Sequence, residues 1–172
     1  MSQLNQQPII FPLSNPATQA ECTFEQAMIE TENRVIFASG TAFPAYTIPS
    51  TNQVKYPGQG NNMYIFPGLG LGAILSRPNH ITDRMIYATA KALADSLTTE
   101  EINQGWLYPS LKRIRDVSAT IAVAVYKEAV DAHLASLPKV DNIQDYVISN
   151  MWSPIDDHYG SLDTKSNIHA NL

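Results

Sequence analysis

The first part of the chain alternates between short apolar runs and a helical pattern. Pro8 to Leu13 and Arg34 to Ala38 are apolar runs containing β-branched and aromatic residues, which is typical of buried strands. Between them, Glu21 to Thr31 places apolar residues on one side of a predicted helix. A strand, a helix and a second strand in close succession predict a parallel α/β sheet.

The remainder of the chain has a predominantly helical pattern. Thr41 to Gln59 is rich in proline and predicts an ordered loop or a weak hairpin. Four helices are predicted from Asn62 to about Leu75, from the capping residue Thr82 to about Leu97, from Ile114 to Leu137 and from Ile143 to Trp152. A further, short helix is predicted to begin at the Thr98–Glu101 capping box. The helix from Ile114 has a wide apolar face, so we expect it to be buried on more than one side and to end before Pro138.

These patterns divide the chain into three parts. Residues 1–60 are expected to form an α/β part and residues 61–137 a set of helices, with the boundary near Gly60 and Asn61. Residues 138–172 are expected to form one more short helix and, from Ser153 to Leu172, a loose tail.

Composition narrows the class of protein. The 172 residues are 44% hydrophobic and 16% charged, which is enough for one globular domain with an apolar core. The net charge is −5 and Lys and Arg form no cluster, which argues against nucleic acid or an anionic membrane as a partner. No apolar run is long enough for a transmembrane helix. The polar Met1 to Gln7 lacks the apolar core of a signal peptide and precedes a strand directly, so we expect a shortened version of a longer protein.

The single cysteine favours a reducing, intracellular compartment. Cys22 cannot form an internal disulfide. No base lies near it in the sequence, so a helix-entry position is preferred over a nucleophile. The four histidines lack metal-ligand spacing, and the sequence shows no Ser-His-Asp or Cys-His arrangement.

The strongest functional pattern is the stretch from Tyr56 to Gly68. Two glycines flank Gln59, and the pair Asn61-Asn62 follows directly before an apolar run. This order predicts a tight loop that presents amides and free N–H groups at a helix start, where a small anion binds well. The alternative is a plain helix N-cap at the asparagine pair.

Asn15 is a second candidate, because it lies between a predicted strand end and Pro16. Proline keeps the preceding residue out of the helical region and so restricts where the amide of Asn15 can point. Ser39 and Gly40 follow the other predicted strand, and ligands of parallel sheets bind beyond such carboxyl ends. An Asx turn that caps the loop is the alternative explanation of Asn15.

One glycine motif is better explained by packing. Gly68 to Ala73 matches the G-x-G-x-x-A dinucleotide pattern, but no clean strand precedes it and no acidic residue stands about 20 positions later. Close packing of a helix against a neighbour is the preferred explanation.

Several segments together resemble the malic enzymes, in the order and spacing of that family. These segments are Pro8 to Pro16, Ala20 to Thr23, Arg34 to Gly40, Tyr56 to Asn62, Phe66 to Gly68, Ile81 to Asp83, Leu107 to Pro109 and Ile114 to Ser118. The resemblance covers residues 8–152. It implies that residues 1–60 are the end of a Rossmann-like NAD(P)-binding domain and that residues 61–137 return to a central domain.

The resemblance also implies functional roles. Malic enzymes oxidise malate to pyruvate and carbon dioxide with NAD or NADP and Mg²⁺ or Mn²⁺. Asn15, Asn61 and Asn62 would bind the substrate, and Ser14, Asn15 and Gly40 would border the cofactor. The catalytic tyrosine and lysine, the acidic metal ligands and the glycine-rich loop lie upstream in the family. No catalytic or metal-binding residue is therefore expected in this chain.

Two functional hypotheses follow from the resemblance. The chain is either the C-terminal part of a working malic enzyme or a truncated, non-catalytic relative that acts as a binding or assembly element. In both cases we expect the isolated chain to be inactive and to self-associate or to need the missing part. The family implies a homo-oligomer in the cytoplasm or the mitochondrial matrix. The loop Thr41 to Ala45 departs from the Ser-Pro-Phe run usual in the family, so its local shape is open.

Overall fold

A computed structural model describes residues 1–136 and 140–152. The strands are β1 (Ile9–Ile10), β2 (Ile36–Ser39), β3 (Tyr46–Thr47), β4 (Val54–Lys55) and β5 (Gly58–Gln59). The helices are α1 (Phe24–Glu30), α2 (Phe66–Ser76), α3 (Asp83–Asp95), α4 (Thr99–Asn103), α5 (Ile114–Asp131) and α6 (Ile143–Ser149). The predicted α/β class is confirmed, with the strands before residue 60 and helices thereafter.

The main sheet is parallel and has the order β1-β2-β5 in the described part of the chain. Ile9 pairs with Ile36 in β2, and Ala38 pairs with Gly58 in β5. The two predicted strands are confirmed, although β1 is shorter than Pro8 to Leu13. The third strand, β5, was not predicted, because Gly58 and Gln59 carry no apolar pattern.

The loop predicted between residues 41 and 59 contains a hairpin. Strands β3 and β4 pair antiparallel, with Tyr46 opposite Lys55 and Thr47 opposite Val54. The weak hairpin, one of two predicted possibilities, is therefore the observed one. β5 follows this hairpin and returns the chain to the main sheet.

Helix α1 packs against the main sheet and contributes to its apolar core. It begins at Phe24 rather than at Glu21, because Thr23 caps it and exchanges hydrogen bonds with Gln26 in a capping box. The core on this side is formed by Phe24, Ala27, Met28, Phe37 and Ile48. The rings of Phe24 and Phe37 lie 5.0 Å apart between centroids, which joins the helix to β2.

The segment after the asparagine pair is not one continuous helix. Asn62–Tyr64 forms a 3₁₀ turn, and α2 begins only at Phe66. The predicted caps of the next two helices are confirmed. Thr82 accepts the N–H of Met85 at the start of α3, and Thr98 and Glu101 form the capping box of α4.

Helix α5 is the centre of the helical part. Val117, Ile121 and Val125 contact the core shared with α3, while Ala122 and Tyr126 contact the core shared with α6. The prediction that this helix is buried on more than one side is confirmed. The predicted end at Leu137 was wrong: α5 ends at Asp131.

Tertiary contacts explain why α5 ends early. His133 has a left-handed backbone (φ 56°) and Ala135 forms a β-bridge with Pro78, so the chain leaves the helix to pair with the segment after α2. The predicted stop at Pro138 and the predicted tail from Ser153 lie outside the described residues. α6 ends at Ser149 and is shorter than predicted.

Candidate functional site

The predicted site residues follow the carboxyl ends of the three parallel strands. Ser14 and Asn15 follow β1, Gly40 follows β2, and Asn61 and Asn62 follow β5. Neighbouring parallel strands place their carboxyl ends at the same edge of the sheet. The unpredicted strand β5 therefore brings the asparagine pair to the edge that already holds Asn15 and Gly40.

Gly40 lies where no side chain fits. Its N–H donates to the carbonyl of Pro12 at 3.0 Å. A Cβ atom at Gly40 would come within 2.4 Å of the carbonyl oxygen of Leu13 and 3.0 Å of Nδ2 of Asn15. A substitution would therefore displace the loop that carries Asn15, and the amide of Asn15 lies directly beside the end of β2.

Ser14 and Asn15 differ in what their side chains can offer. The Ser14 hydroxyl donates to the Glu21 carboxylate at 2.8 Å. The backbone N–H of Glu21 and then the Ser14 hydroxyl lower the pKa of the Glu21 carboxyl. The Asn15 side chain is exposed, and it makes no hydrogen bond within residues 1–136 and 140–152. The Asn15–Pro16 peptide bond is cis. Asn15 therefore offers a free amide, and Ser14 an occupied hydroxyl.

The asparagine pair is held next to β2 by the backbone. The N–H of Gly60 donates to the carbonyl of Ser39 at 2.9 Å. Oδ1 of Asn61 accepts the N–H of Met63 at 3.0 Å, so Asn61 caps the turn that follows, while its exposed amide NH₂ group makes no hydrogen bond to the described residues. Asn62 is exposed and its side chain makes no hydrogen bond to the described part of the chain.

The predicted helix start at this pair needs a correction. Asn61 caps a 3₁₀ turn of three residues, and the first turn of α2 comes later, at Phe66 and Pro67. Because a single 3₁₀ turn adds little dipole, the long-helix dipole no longer supports anion binding at Asn61 and Asn62. What remains is the set of exposed amide donors at the sheet edge.

Tyr108 is a neighbour of this edge that the sequence did not suggest. A Cβ atom at Gly60 would lie 3.2 Å from the Tyr108 hydroxyl oxygen. The Tyr108 ring stacks on Tyr64 with centroids 5.2 Å apart, and burial raises the pKa of both phenols. Both rings line a cavity of about 270 Å³ whose wall is formed by residues 56–59, 64 and 106–111. In the sequence, Leu107 to Pro109 indicated only a break between helices.

Two further kinds of site were considered in the sequence, a metal site and a cysteine nucleophile. Within the part of the chain that the structure describes, no group of three or more His, Cys, Asp or Glu side chains could hold a metal ion. Burial, and then the charge of Glu21, raises the pKa of the Cys22 thiol, which disfavours the reactive thiolate.

Among the residues that the structure describes, no helix has the length and apolar character needed to cross a membrane.

A parallel sheet with polar residues beyond its carboxyl ends defines the class as an α/β fold of the dinucleotide-binding kind. Comparison with known families then gives the particular family. The malic enzyme NAD-binding domain matches residues 1–130, and the chain belongs to the malic enzyme family. The predicted family and fold class are both confirmed.

Individual relatives agree with this assignment. The chain is 46% identical over 154 residues to the NADP-dependent malic enzyme of Dictyostelium discoideum. The matched segment covers 90% of this chain and 28% of that protein. It is 43% identical to the human NADP-dependent malic enzyme, covering 89% of this chain and 27% of that one. A crystal structure of malic enzyme from Pyrococcus horikoshii matches 84% of the chain with 29% identity and a TM-score of 0.61. The chain thus spans little more than a quarter of the length of these relatives.

Proposed function

We propose that the chain is the C-terminal part of a malic enzyme, which converts (S)-malate to pyruvate and CO₂ with NAD or NADP. The observation that carries this proposal is the convergence of Asn15, Gly40, Asn61 and Asn62 at one edge of the sheet. The names of the relatives, which are NADP-dependent malic enzymes, support the same activity.

The amides are proposed to bind the substrate. Asn15, Asn61 and Asn62 each have an exposed NH₂ donor, and such donors suit the carboxylates of malate and the carbonyl of pyruvate. Ser14, Asn15 and Gly40 are proposed to border the nicotinamide. Gly40 suits this position because its missing side chain lets the loop of Leu13 and Asn15 lie directly against the end of β2, which holds the amide of Asn15 at the sheet edge.

The groups that carry the chemistry are proposed to come from the rest of the enzyme. The described residues include no group of three or more His, Cys, Asp or Glu side chains that could hold a metal ion, and the ligands of Mg²⁺ or Mn²⁺ are likewise proposed to lie in the rest of the enzyme. This chain's contribution is to bind and orient. Positioning donors of this kind act by holding charge where it develops in the reaction.

The division of the chain remains a proposal and has some support from packing. The buried residues of the sheet core lie between Phe24 and Ile48, whereas those of the helical cores lie between Tyr64 and Val147. We therefore propose residues 1–60 as the end of the dinucleotide domain and residues 61–137 as helices of a neighbouring domain. Of the third predicted part, residues 138–172, the structure describes residues 140–152, which contain α6. Homo-oligomer formation and a cytoplasmic or mitochondrial location stay predictions.

A chimera tests the proposed function. Residues 1–152 of this chain would replace the matching segment of the Dictyostelium discoideum enzyme, and NADPH formation would be measured with malate and Mn²⁺. We expect malate-dependent turnover from the chimera and none from the isolated chain. A folded chimera without turnover would instead favour the non-catalytic relative. Turnover by the isolated chain would contradict the proposed role as one part of the enzyme.

A further inference from the structure

Two glycines on either side of Gln59 face the same aromatic ring. Residues two apart in an extended chain point to the same side, and Gly58 of β5 and Gly60 directly after β5 are such a pair. A Cβ atom at Gly58 would lie 3.3 Å from Cδ2 of Tyr108, and one at Gly60 would lie 3.2 Å from the Tyr108 hydroxyl oxygen. The ring of Tyr108 therefore runs along the bare side of this segment, and its hydroxyl end lies just before Asn61.

The ring of Tyr108 is held in place from the side of the helices. It stacks on the ring of Tyr64, with the centroids 5.2 Å apart and an angle of 26° between the planes. The Tyr64 hydroxyl donates to the carbonyl of the buried Pro109 at 3.0 Å. The N–H of Ser110 donates to the Glu101 carboxylate at 2.8 Å. The two residues that follow Tyr108 are thus anchored, and the ring has a fixed place.

The other side of Gly60 is fixed by the sheet. Its N–H donates to the carbonyl of Ser39 at 2.9 Å, and Ser39 is fully buried at the end of β2. The chain at Gly60 therefore lies between β2 and the hydroxyl end of Tyr108. Asn61 and Asn62 begin at this point, so the width of that space determines where the pair stands at the sheet edge.

We propose that Tyr108 is a positioning residue, whose hydroxyl end rests on Gly60 and sets the place of Asn61 and Asn62 at the sheet edge. This inference rests on the proposed function, in which those two amides bind malate. Tyr108 acts through Gly60 and is not proposed to contact the substrate. The role also explains the two glycines beside Gln59, because a side chain at either position would meet the ring of Tyr108.

Gly60→Ala tests the contact, because it puts a methyl group against the hydroxyl end of Tyr108. The next described atoms, Cδ2 of Leu13 and the carbonyl oxygen of Ser39, would each lie 3.9 Å from that methyl group, which is an ordinary contact distance. Since the ring is fixed, the chain at residue 60 has to shift by a few tenths of an ångström and carry the asparagine pair with it.

The malate kinetics of the chimera measure this shift. For Gly60→Ala, kcat/KM for malate should fall about fivefold or more, because a displacement of about 1 Å at a reacting site can cost about 100-fold. The KM for NADP should stay unchanged, because the residues proposed to border the nicotinamide follow β1 and β2. A general loss of structure would instead affect both substrates and the melting midpoint.

Tyr108→Phe supplies the rescue, because it removes the hydroxyl oxygen and keeps the ring. Combined with Gly60→Ala, it should restore kcat/KM for malate to about half of the wild-type value or more, as expected for two residues in contact. Gly58→Ala is the matched control. Its methyl group would meet Cβ of Ala38 at 3.1 Å and the carbonyl oxygen of Phe37 at 3.2 Å. Tyr108→Phe removes neither atom, so it should not rescue Gly58→Ala.

A second measurement needs no turnover. Crystal structures of the chimera with Gly60→Ala, and with Gly60→Ala and Tyr108→Phe together, give the positions of the Asn61 and Asn62 Cα atoms relative to β2. The single variant should show the pair displaced, and the double variant should show it returned. A Tyr108 ring that moves aside while the pair stays in place overturns the inference.

The kinetic outcomes decide in the same way. A loss with Gly60→Ala that Tyr108→Phe reverses, together with a loss with Gly58→Ala that it does not reverse, supports the inference. Wild-type kcat/KM for Gly60→Ala, or equal rescue of both glycine variants, overturns it. A loss for Tyr108→Phe alone as large as that for Asn62→Ala also overturns it, because the hydroxyl would then contact the substrate itself.

Failure of the proposed function has a different signature. A folded wild-type chimera without malate turnover argues against that function. The crystal structures of the same chimera still decide whether Tyr108 sets the position of the asparagine pair.

Discussion

Gly72 of α2 lies against Ala122 of α5 with no space for a side chain between them. A Cβ atom at Gly72 would come within 2.7 Å of the Ala122 carbonyl oxygen. Gly72→Ala should therefore separate the two helices and destabilise the fold by about 1–3 kcal/mol. The measurement is the thermal unfolding midpoint of the variant against that of the wild type.

Gly70 supplies the control for this prediction, because it belongs to the same helix but faces open space. Gly70→Ala should leave stability unchanged or raise it by up to about 1 kcal/mol through helix propensity. If both substitutions shift the midpoint equally, the close packing of α2 on α5 is contradicted.

Glu101 joins the start of α4 to the start of α5. Its carboxylate accepts the N–H groups of Thr98 and Ser110, each at 2.8 Å, and binds Arg113 at 2.7 Å. Burial opposes ionisation, but these N–H groups and the guanidinium together hold the pKa of Glu101 below its usual value. A carboxyl whose pKa is lowered by folding contributes stability above its unfolded-state pKa and loses it as the pH falls through the folded-state pKa.

Glu101→Gln should therefore destabilise the protein at neutral pH by about 1–3 kcal/mol. The difference from wild type should shrink as the pH falls below the unfolded-state pKa of about 4.3 towards the lower folded-state pKa, at which the folded carboxyl takes up its proton. Thermal melts at a series of pH values measure this difference in stability. Glu100→Gln, at the exposed neighbouring glutamate, is the control. A difference that is the same at every pH would show that the charge of Glu101 is not what stabilises the contact.

Tyr64 links the proposed site to the helical part. Its buried hydroxyl donates to the carbonyl of Pro109 at 3.0 Å, beside the stacked ring of Tyr108. Tyr64→Phe should remove about 1 kcal/mol of stability, the usual value of one hydrogen bond. Tyr87→Phe changes a tyrosine that is 70% exposed and should have no effect on the melting midpoint. Equal melting midpoints for Tyr64→Phe and Tyr87→Phe would contradict a stabilising hydrogen bond from Tyr64 to Pro109.

Features that depend on neighbouring residues in the sequence could be predicted. The caps at Thr82 and Thr98 were found because a capping residue and its N–H partners lie within three positions of each other. The two apolar strands and the amides beyond them were found in the same way. The family resemblance supplied the proposed roles of those amides, which spacing alone left open between binding and capping.

Features that depend on tertiary pairing could not be predicted. Gly58 and Gln59 form a strand only because Ala38 and Ser39 lie beside them. The chain leaves α5 at Asp131 because Ala135 pairs with Pro78, which is far away in the sequence. The contact of Tyr108 with Gly60 has the same origin. The missed strand mattered most, since it is the element that brings Asn61 and Asn62 to the edge of the sheet.

Whether this sheet edge binds the substrate is measured most directly by the kcat/KM for malate of the chimera carrying Asn62→Ala. Asn62 is exposed and makes no hydrogen bond to the described residues, so its loss should leave the fold intact. We expect kcat/KM to fall about 100-fold or more, the usual effect of removing one well-placed donor. The exposed Asn103→Ala, at the end of α4, should retain full activity. Equal kcat/KM values for the two variants would contradict the claim that this sheet edge binds the substrate.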